Sequence, residues 1–215
     1  MMKKLLIISV LSFTSFVHIK AQVVSDYLFS KMDATPQYLL ADGNLTMLMG
    51  FTKQLGGNIG LPSPTLIYNE GDSVTLSMTN FSQAAPHTIH LHGLDVDQQN
   101  DGVPMVSYYV PHDDTGSYYF KAPHAGTYLY HCHVVSPIHV QAGMYGMLIV
   151  KPSDGSNTTW NNGYSYDSEE AFLMSEIDPI WHHDTVLLHT MAPEDKKIPS
   201  TYIPQYFLVN GKANQ

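Results

Sequence analysis

The chain has one cysteine, no arginine and few charges of either sign, only 13% of its 215 residues. A lone cysteine excludes an internal disulfide, and in an oxidising compartment an unused thiol is a liability, so Cys132 is expected to serve another purpose. Without arginine, and with a formal charge of −9, the surface lacks the basic stripes that nucleic acid requires. A cationic or neutral partner fits better. No apolar run reaches the roughly twenty residues of a membrane span. The longest, Leu5 to Val17, follows Lys3-Lys4 and precedes Ala21, the order of a cleavable export leader over residues 1–21. Such a leader predicts a periplasmic or extracellular protein with no membrane span in its mature form. A hydrophobic content of 44% argues for a packed core rather than disorder.

What the chain does have is histidine, grouped. His87, His90 and His92 share one short segment, and His131, His133 and His139 share another with Cys132 and Met144. The run Gly126 to His133 is rich in β-formers and bounded by Gly126 and Ser136-Pro137, which reads as a strand. Side chains alternate faces along a strand, so His131 and His133 point one way and Cys132 the other. The same parity puts His90 with His92 and separates His87 from them. Two ligand sets result. His87 and Cys132, completed by His139 and Met144, combine two imidazoles, a thiolate and a thioether, the ligand set of a type 1 copper. Zinc, the alternative metal, has little use for a thioether. His90, His92, His131 and His133 form an all-imidazole set suited to copper that meets oxygen.

These segments resemble the copper motifs of the multicopper oxidases, the laccase-like cupredoxin proteins. The resemblance rests on His87-Thr88-Ile89-His90-Leu91-His92-Gly93 and Tyr130-His131-Cys132-His133. Supporting it are Pro62 to Val74, Asp101-Gly102-Val103-Pro104 and Gly143 to Val150. It is strong over about residues 60 to 152. It implies an all-β, cupredoxin-like Greek-key sandwich or barrel. It also implies His87, Cys132, His139 and Met144 at type 1 copper, and His90, His92, His131 and His133 at half of a trinuclear cluster of type 2 and type 3 copper. Electrons would leave a small reducing substrate, phenol-like or a metal ion, and enter at an exposed edge of His139. They would pass through Cys132 and its flanking histidines to O2, which is reduced to water. Asp101 matches a family carboxylate and is the candidate catalytic proton relay, although an Asp before Gly is equally a turn pair. His139 lies seven positions after Cys132, a longer step than in three-domain laccases and a shorter one than in copper nitrite reductases.

Two rival functions follow from the same pattern. Copper nitrite reductases share the type 1 motif but carry an acidic residue in place of His90 and no ligand in place of His133. A type 1 copper electron carrier would use the Cys132 set alone.

Short β-like runs at Thr65–Tyr68, Ser73–Met78, Ser117–Lys121, Thr127–His133 and Tyr145–Lys151, divided by turn residues, read independently as an all-β sandwich or barrel. Residues 22–59 are ambiguous, and Val134 to Ile138 reads as a loop. The cupredoxin domain is expected over 22–155, a connecting segment over 156–200, and the start of a second cupredoxin domain over 201–215, which suggests one part of a two-domain chain. In two-domain relatives the cluster is shared between neighbours in a homotrimer. His112 and His124 read as exposed loop residues, and His182, His183 and His189 as loop contacts. Met47, Met49, Met105 and Met147 read as core filler. Asn44, Asn80 and Asn157 begin N-x-S/T triplets.

Overall fold

The computed structural model describes residues 21–82, 85–187 and 198–213. The proposed leader, up to residue 20, and His189 lie outside the described residues. In chain order the strands are β1 (Val23–Met32), β2 (Tyr38–Leu39), β3 (Leu45–Thr46), β4 (Met49–Thr52), β5 (Ser63–Asn69), β6 (Ser73–Asn80), β7 (His90–His92), β8 (Thr115–Lys121), β9 (Gly126–His131) and β10 (Tyr145–Lys151). Helix α1 (Ser136–Gln141) lies between β9 and β10, and β11 (Met174–Ile177), α2 (Asp184–Leu187), β12 (Tyr206–Val209) and β13 (Lys212–Ala213) follow.

Two four-stranded sheets, ordered β4-β1-β6-β8 and β5-β10-β9-β7, enclose the core as the expected all-β sandwich. Strand β6 alternates strictly: Val74, Leu76, Met78 and Asn80 are buried, as period-two side chains on a half-covered sheet require. Strand β10 is buried from Tyr145 to Val150 because both its faces are covered. Leu148 and Val150 join the main core, while Tyr145 joins a second cluster with Leu40, Leu48, Leu61, Ile177 and Leu208. That second cluster ties β11 and β12 to the sandwich.

Strand β1 escaped the sequence reading because its core side carries Asp26 and Ser30 among Val24 and Leu28. Both polar groups are satisfied: Lys53 donates to Asp26 at 2.9 Å, and the Ser30 hydroxyl donates to Asn80 Oδ1 at 2.9 Å. Asn80 is fully buried. Its Nδ2 donates to the carbonyls of Ala85 and Val110 at 2.7 and 3.0 Å, which sets the entry to His87. The 134–138 stretch is a second difference, since residues 136 onward are helical. Pro137 suits a first helical turn, where its missing N–H is no loss. Val135 before it holds φ 44, a left-handed conformation that costs a β-branched residue about 1–3 kcal/mol. Met47, Met49 and Met147 are buried as expected, but Met105 is 94% exposed, because its loop rides on the surface.

Leu76 is fully buried in the central strand of its sheet. Leu76→Ala is expected to lower stability by about 2–5 kcal/mol, read as a lower urea midpoint in equilibrium unfolding.

Candidate metal centre

The sequence-predicted histidines and Cys132 gather into two groups that differ in exposure. His87 enters through a two-residue bridge: its N–H donates to Val110 O at 3.0 Å and its carbonyl accepts from Val110 at 2.8 Å. Cys132 follows the last residue of β9, and its N–H donates to Met144 O at 3.0 Å. His139 is carried by α1, whose helical turn brings Ile138 and His139 inward together. His87, Cys132, His139 and Met144 are all fully buried. The Nδ1 atoms of His87 and His139 lie 3.5 and 3.3 Å from Cys132 Sγ, and His87 Nε2 is buried without a hydrogen-bond partner. Two imidazole nitrogens converging on one thiol in a dry pocket fit a soft metal ion such as copper. The Met144 backbone bonds to both Cys132 and His139, its carbonyl accepting from Cys132 N–H and its N–H donating to His139 O, each at 3.0 Å, whereas Met147 lines the outer side of β10 with Ile149 and Trp160. The thioether available to this set is therefore Met144.

The four imidazoles of the second set also meet. The rings of His92, His131 and His133 lie with centroids 5.5, 5.2 and 5.2 Å from that of His90. His92 Nδ1 and His131 Nε2 face each other at 3.2 Å, and His90, His92 and His131 group tightly enough to share an ion. His131 Nδ1 is held by the Cys132 carbonyl at 2.9 Å and His90 Nδ1 by the Asp101 carbonyl at 2.7 Å. Each therefore keeps its proton on Nδ1 and turns an unprotonated Nε2 inward, that of His131 toward His92 Nδ1, the usual arrangement when a backbone carbonyl orients a metal-binding imidazole. The Asp101 carboxylate is 3.4 Å from the same His90 nitrogen. Gly102 makes this possible: it holds φ +73, and a Cβ there would stand 2.0 Å from Ile89 O. His92 is exposed, so the imidazole set opens to solvent while the Cys132 set is sealed.

Two residues matter that the sequence reading passed over, Thr88 and Gln141, and a third, His182, was read only as a loop contact. Thr88 Oγ1 accepts the His133 N–H at 2.9 Å, tying the two histidine segments together. Gln141, two residues past His139, donates to Glu176 O at 3.2 Å and accepts from the Tyr202 hydroxyl at 2.9 Å. His182 is buried, with Nδ1 donating to Met47 O at 2.8 Å. Their only sequence signal was proximity to a ligand, or to another histidine. The expected exposed edge at His139 is absent, because its ring lies on the buried side of α1 and is fully covered. His112 and His124 are exposed, as read.

Burial sets the protonation states. It pushes His131 down to about 4, the hydrogen bond to the Cys132 carbonyl opposing and the neighbouring imidazoles reinforcing. Burial, then His139, holds His87 well below its ordinary value. Burial pushes the Cys132 thiol up to about 11, with hydrogen bonds from Thr88 and Val134 opposing, so thiolate formation must be coupled to metal uptake.

The sequence profile of the multicopper oxidase family matches residues 40–155. Copper resistance protein A of Escherichia coli is 36% identical over 120 residues, which is 55% of this chain and 18% of that protein. The L-ascorbate oxidase of Cucumis sativus is 32% identical over 162 residues, 74% of this chain and 26% of that one. Among solved structures, a blue copper oxidase from Nitrosomonas europaea superposes with a TM-score of 0.62 at 27% identity, covering 87% of this chain and 53% of its own. That similarity makes the sandwich a cupredoxin fold. The chain spans about a quarter or less of the length of these two curated relatives.

Two outcomes follow. An unfolded chain takes up protons at His87 and His131 near the ordinary histidine value of about 6.5, while the folded chain resists until lower pH. Stability of the metal-free protein is therefore complete above about pH 6.5 and falls as pH drops toward 4; urea midpoints at pH 7 and 5 would read it, and equal midpoints would contradict it. Gly102→Ala is expected to push Asp101 away from His90 and weaken metal binding by the imidazole set about tenfold, leaving the Cys132 set intact. Metal titration with absorption at each set checks this.

Proposed function

Because the chain belongs to the multicopper oxidase family, and hence to the copper oxidoreductases, we propose that it contributes the type 1 copper site and half of a trinuclear copper site to an oxidase that reduces O2 to water. The carrying observation is the gathering of four imidazoles, His90, His92, His131 and His133, separately from the two, His87 and His139, that face the Cys132 thiol. When bound, copper would supply one-electron transfer at the Cys132 set and oxygen reduction at the imidazole set.

The chain's residues divide the remaining work. Burial of Cys132, His87, His139 and Met144 excludes water from the electron-accepting site, which keeps its ligands pre-arranged and limits reorganisation. The peptide bonds of His131-Cys132-His133 join one set to the other, and the bond from His131 Nδ1 to the Cys132 carbonyl adds a second short connection. The imidazoles of His87 and His131 stay neutral at pH 7 and so present lone pairs rather than protons. Asp101, about a quarter exposed beside His90, is placed to accept a proton from solvent and pass it toward the imidazole set.

Four imidazoles are gathered among the described residues, and their exposed side is open to a partner. We therefore propose that another domain or a neighbouring subunit completes the set, with a homotrimer as the assembly, in an exported, periplasmic or extracellular protein. The reductant is a small molecule, phenol-like or a metal ion. Nitrite reduction at a single copper is the competing enzyme; it leaves His133 without a purpose, although that ring stands 5.2 Å from His90. A plain electron carrier would leave all four without one.

The protein from the complete gene should hold about four coppers per full site, with type 1 and type 2 signals in its EPR spectrum, consume oxygen, and sediment as a trimer. One copper and no oxygen uptake would overturn the oxidase. Nitrite turnover without air would favour the reductase instead. Asp101→Asn should slow oxygen reduction by about 100-fold while leaving the blue absorption unchanged.

A further inference from the structure

Away from both histidine sets, residues 153–166 form a loop that is ordered although each of its residues is exposed or half-buried. Ser153 Oγ accepts from Asn161 Nδ2 at 3.0 Å, the Thr158 hydroxyl donates to Trp160 O at 2.7 Å, and Thr159 Oγ1 accepts the Tyr164 N–H at 3.2 Å. Backbone bonds add to these: Thr159 N–H donates to Tyr164 O at 3.0 Å, Gly163 N–H to Trp160 O at 2.7 Å, and Tyr166 N–H to Asn157 O at 3.0 Å. Asn162 holds φ 61, a conformation that asparagine tolerates in turns. This order does not bury the aromatics. Trp160 and Tyr164 stay 51% and 77% exposed, their rings meeting edge to face at 5.6 Å. The Trp160 ring packs so closely on Gly163 that a Cβ there would stand 2.8 Å from ring atom Cδ2. A loop that fixes a large ring in solvent presents contact surface at little entropic cost on binding.

Trp160 lines a cavity of about 750 Å³, room for a short oligosaccharide. Met147 and Ile149, on the outer side of β10, add apolar surface, and Phe172, 68% exposed, adds a second ring. Polar groups come from Thr158, Thr159, Glu169 and Glu170. This lining selects among ligand classes. A cation would compete with Lys151, which also lines the cavity and already pairs with Glu169. An anion would meet Glu170 and a chain of net charge −9. A wholly apolar ligand would strip water from the carboxylates and threonine hydroxyls without replacing its hydrogen bonds. A neutral sugar satisfies all three constraints: its C–H face stacks on an aromatic ring, and its hydroxyls donate to carboxylates and exchange hydrogen bonds with threonine. Lys151, and after it Tyr166, holds the Glu169 carboxyl below its ordinary range, so it remains an acceptor.

We propose that this cavity binds a neutral oligosaccharide, with Trp160 as the stacking platform and Glu169 and Glu170 as acceptors for sugar hydroxyls. None of its lining residues belongs to either ligand set, so the site stands whether or not the protein reduces oxygen. In an exported protein such a site serves as an anchor on polysaccharide.

Cellohexaose, maltohexaose and laminarihexaose, neutral glucose oligomers that differ in linkage, are titrated by calorimetry into the full-length, copper-loaded protein. At least one is expected to bind saturably. Trp160→Ala, at an exposed position, should weaken that binding at least tenfold with the urea midpoint unchanged. Trp160→Tyr should recover most of the loss because it restores a ring, and the Glu169→Ala, Glu170→Ala double variant should bind about tenfold more weakly than the parent. With fluorotryptophan incorporated, the Trp160 line, identified by its loss in Trp160→Tyr, should shift with sugar while the Trp181 line stays in place. No binding of any of the three, equal affinity in Trp160→Ala, or a shift confined to Trp181 overturns the site. Tighter binding of hexagalacturonate, an anion, overturns the neutral ligand. Self-association without sugar that Trp160→Ala abolishes, read by sedimentation, would place a second copy in the cavity and overturn the proposal as well.

Discussion

The alternation of side chains through His131-Cys132-His133 is the constraint on which the rest of the site depends. Extended backbone sends one residue of the three into the core and its neighbours to the other side, and the surroundings lock that choice. Cys132 N–H is held by Met144 O, His131 Nδ1 by the Cys132 carbonyl, and His133 N–H by Thr88 Oγ1. A slip of one residue would put the thiol in solvent and two imidazoles in an apolar core, with their polar atoms unpaired. The hydrogen bonds and the core packing therefore favour the same register.

The two sets demand opposite environments, and the fold provides both within a few ångströms. The thiol and its histidines sit among Ile138, Ala142 and Met144 with no exposed surface. The second set spans the short edge strand β7 and the end of its neighbour β9, and His92 meets solvent. Sealing protects a thiol that would otherwise oxidise, and the exposed His92 leaves the imidazole set open to solvent.

Close backbone approach holds the second set in place. Gly102 lets the Asp101 carbonyl reach His90 where any side chain would collide with Ile89. Asn80 uses both ends of its amide to fix the approach to His87. Neither residue is a ligand, and each acts by orienting one.

The gathering of these side chains into two sets and the all-β architecture were legible in the sequence, because strand parity is a local property of residue order. Strand β1 was not, since Asp26 and Ser30 break its pattern and are satisfied only by Lys53 and Asn80, distant in the chain. The helix under His139 was hidden because Val135 takes a left-handed conformation that β-branched residues rarely adopt unless packing imposes it. Spacing could not show that His139 is sealed, that Met144 rather than Met147 shares the Cys132 core, or that His182, read as a loop contact, is buried. Those outcomes depend on which segments pack together, and burial is a property of neighbours that the chain brings near only when folded.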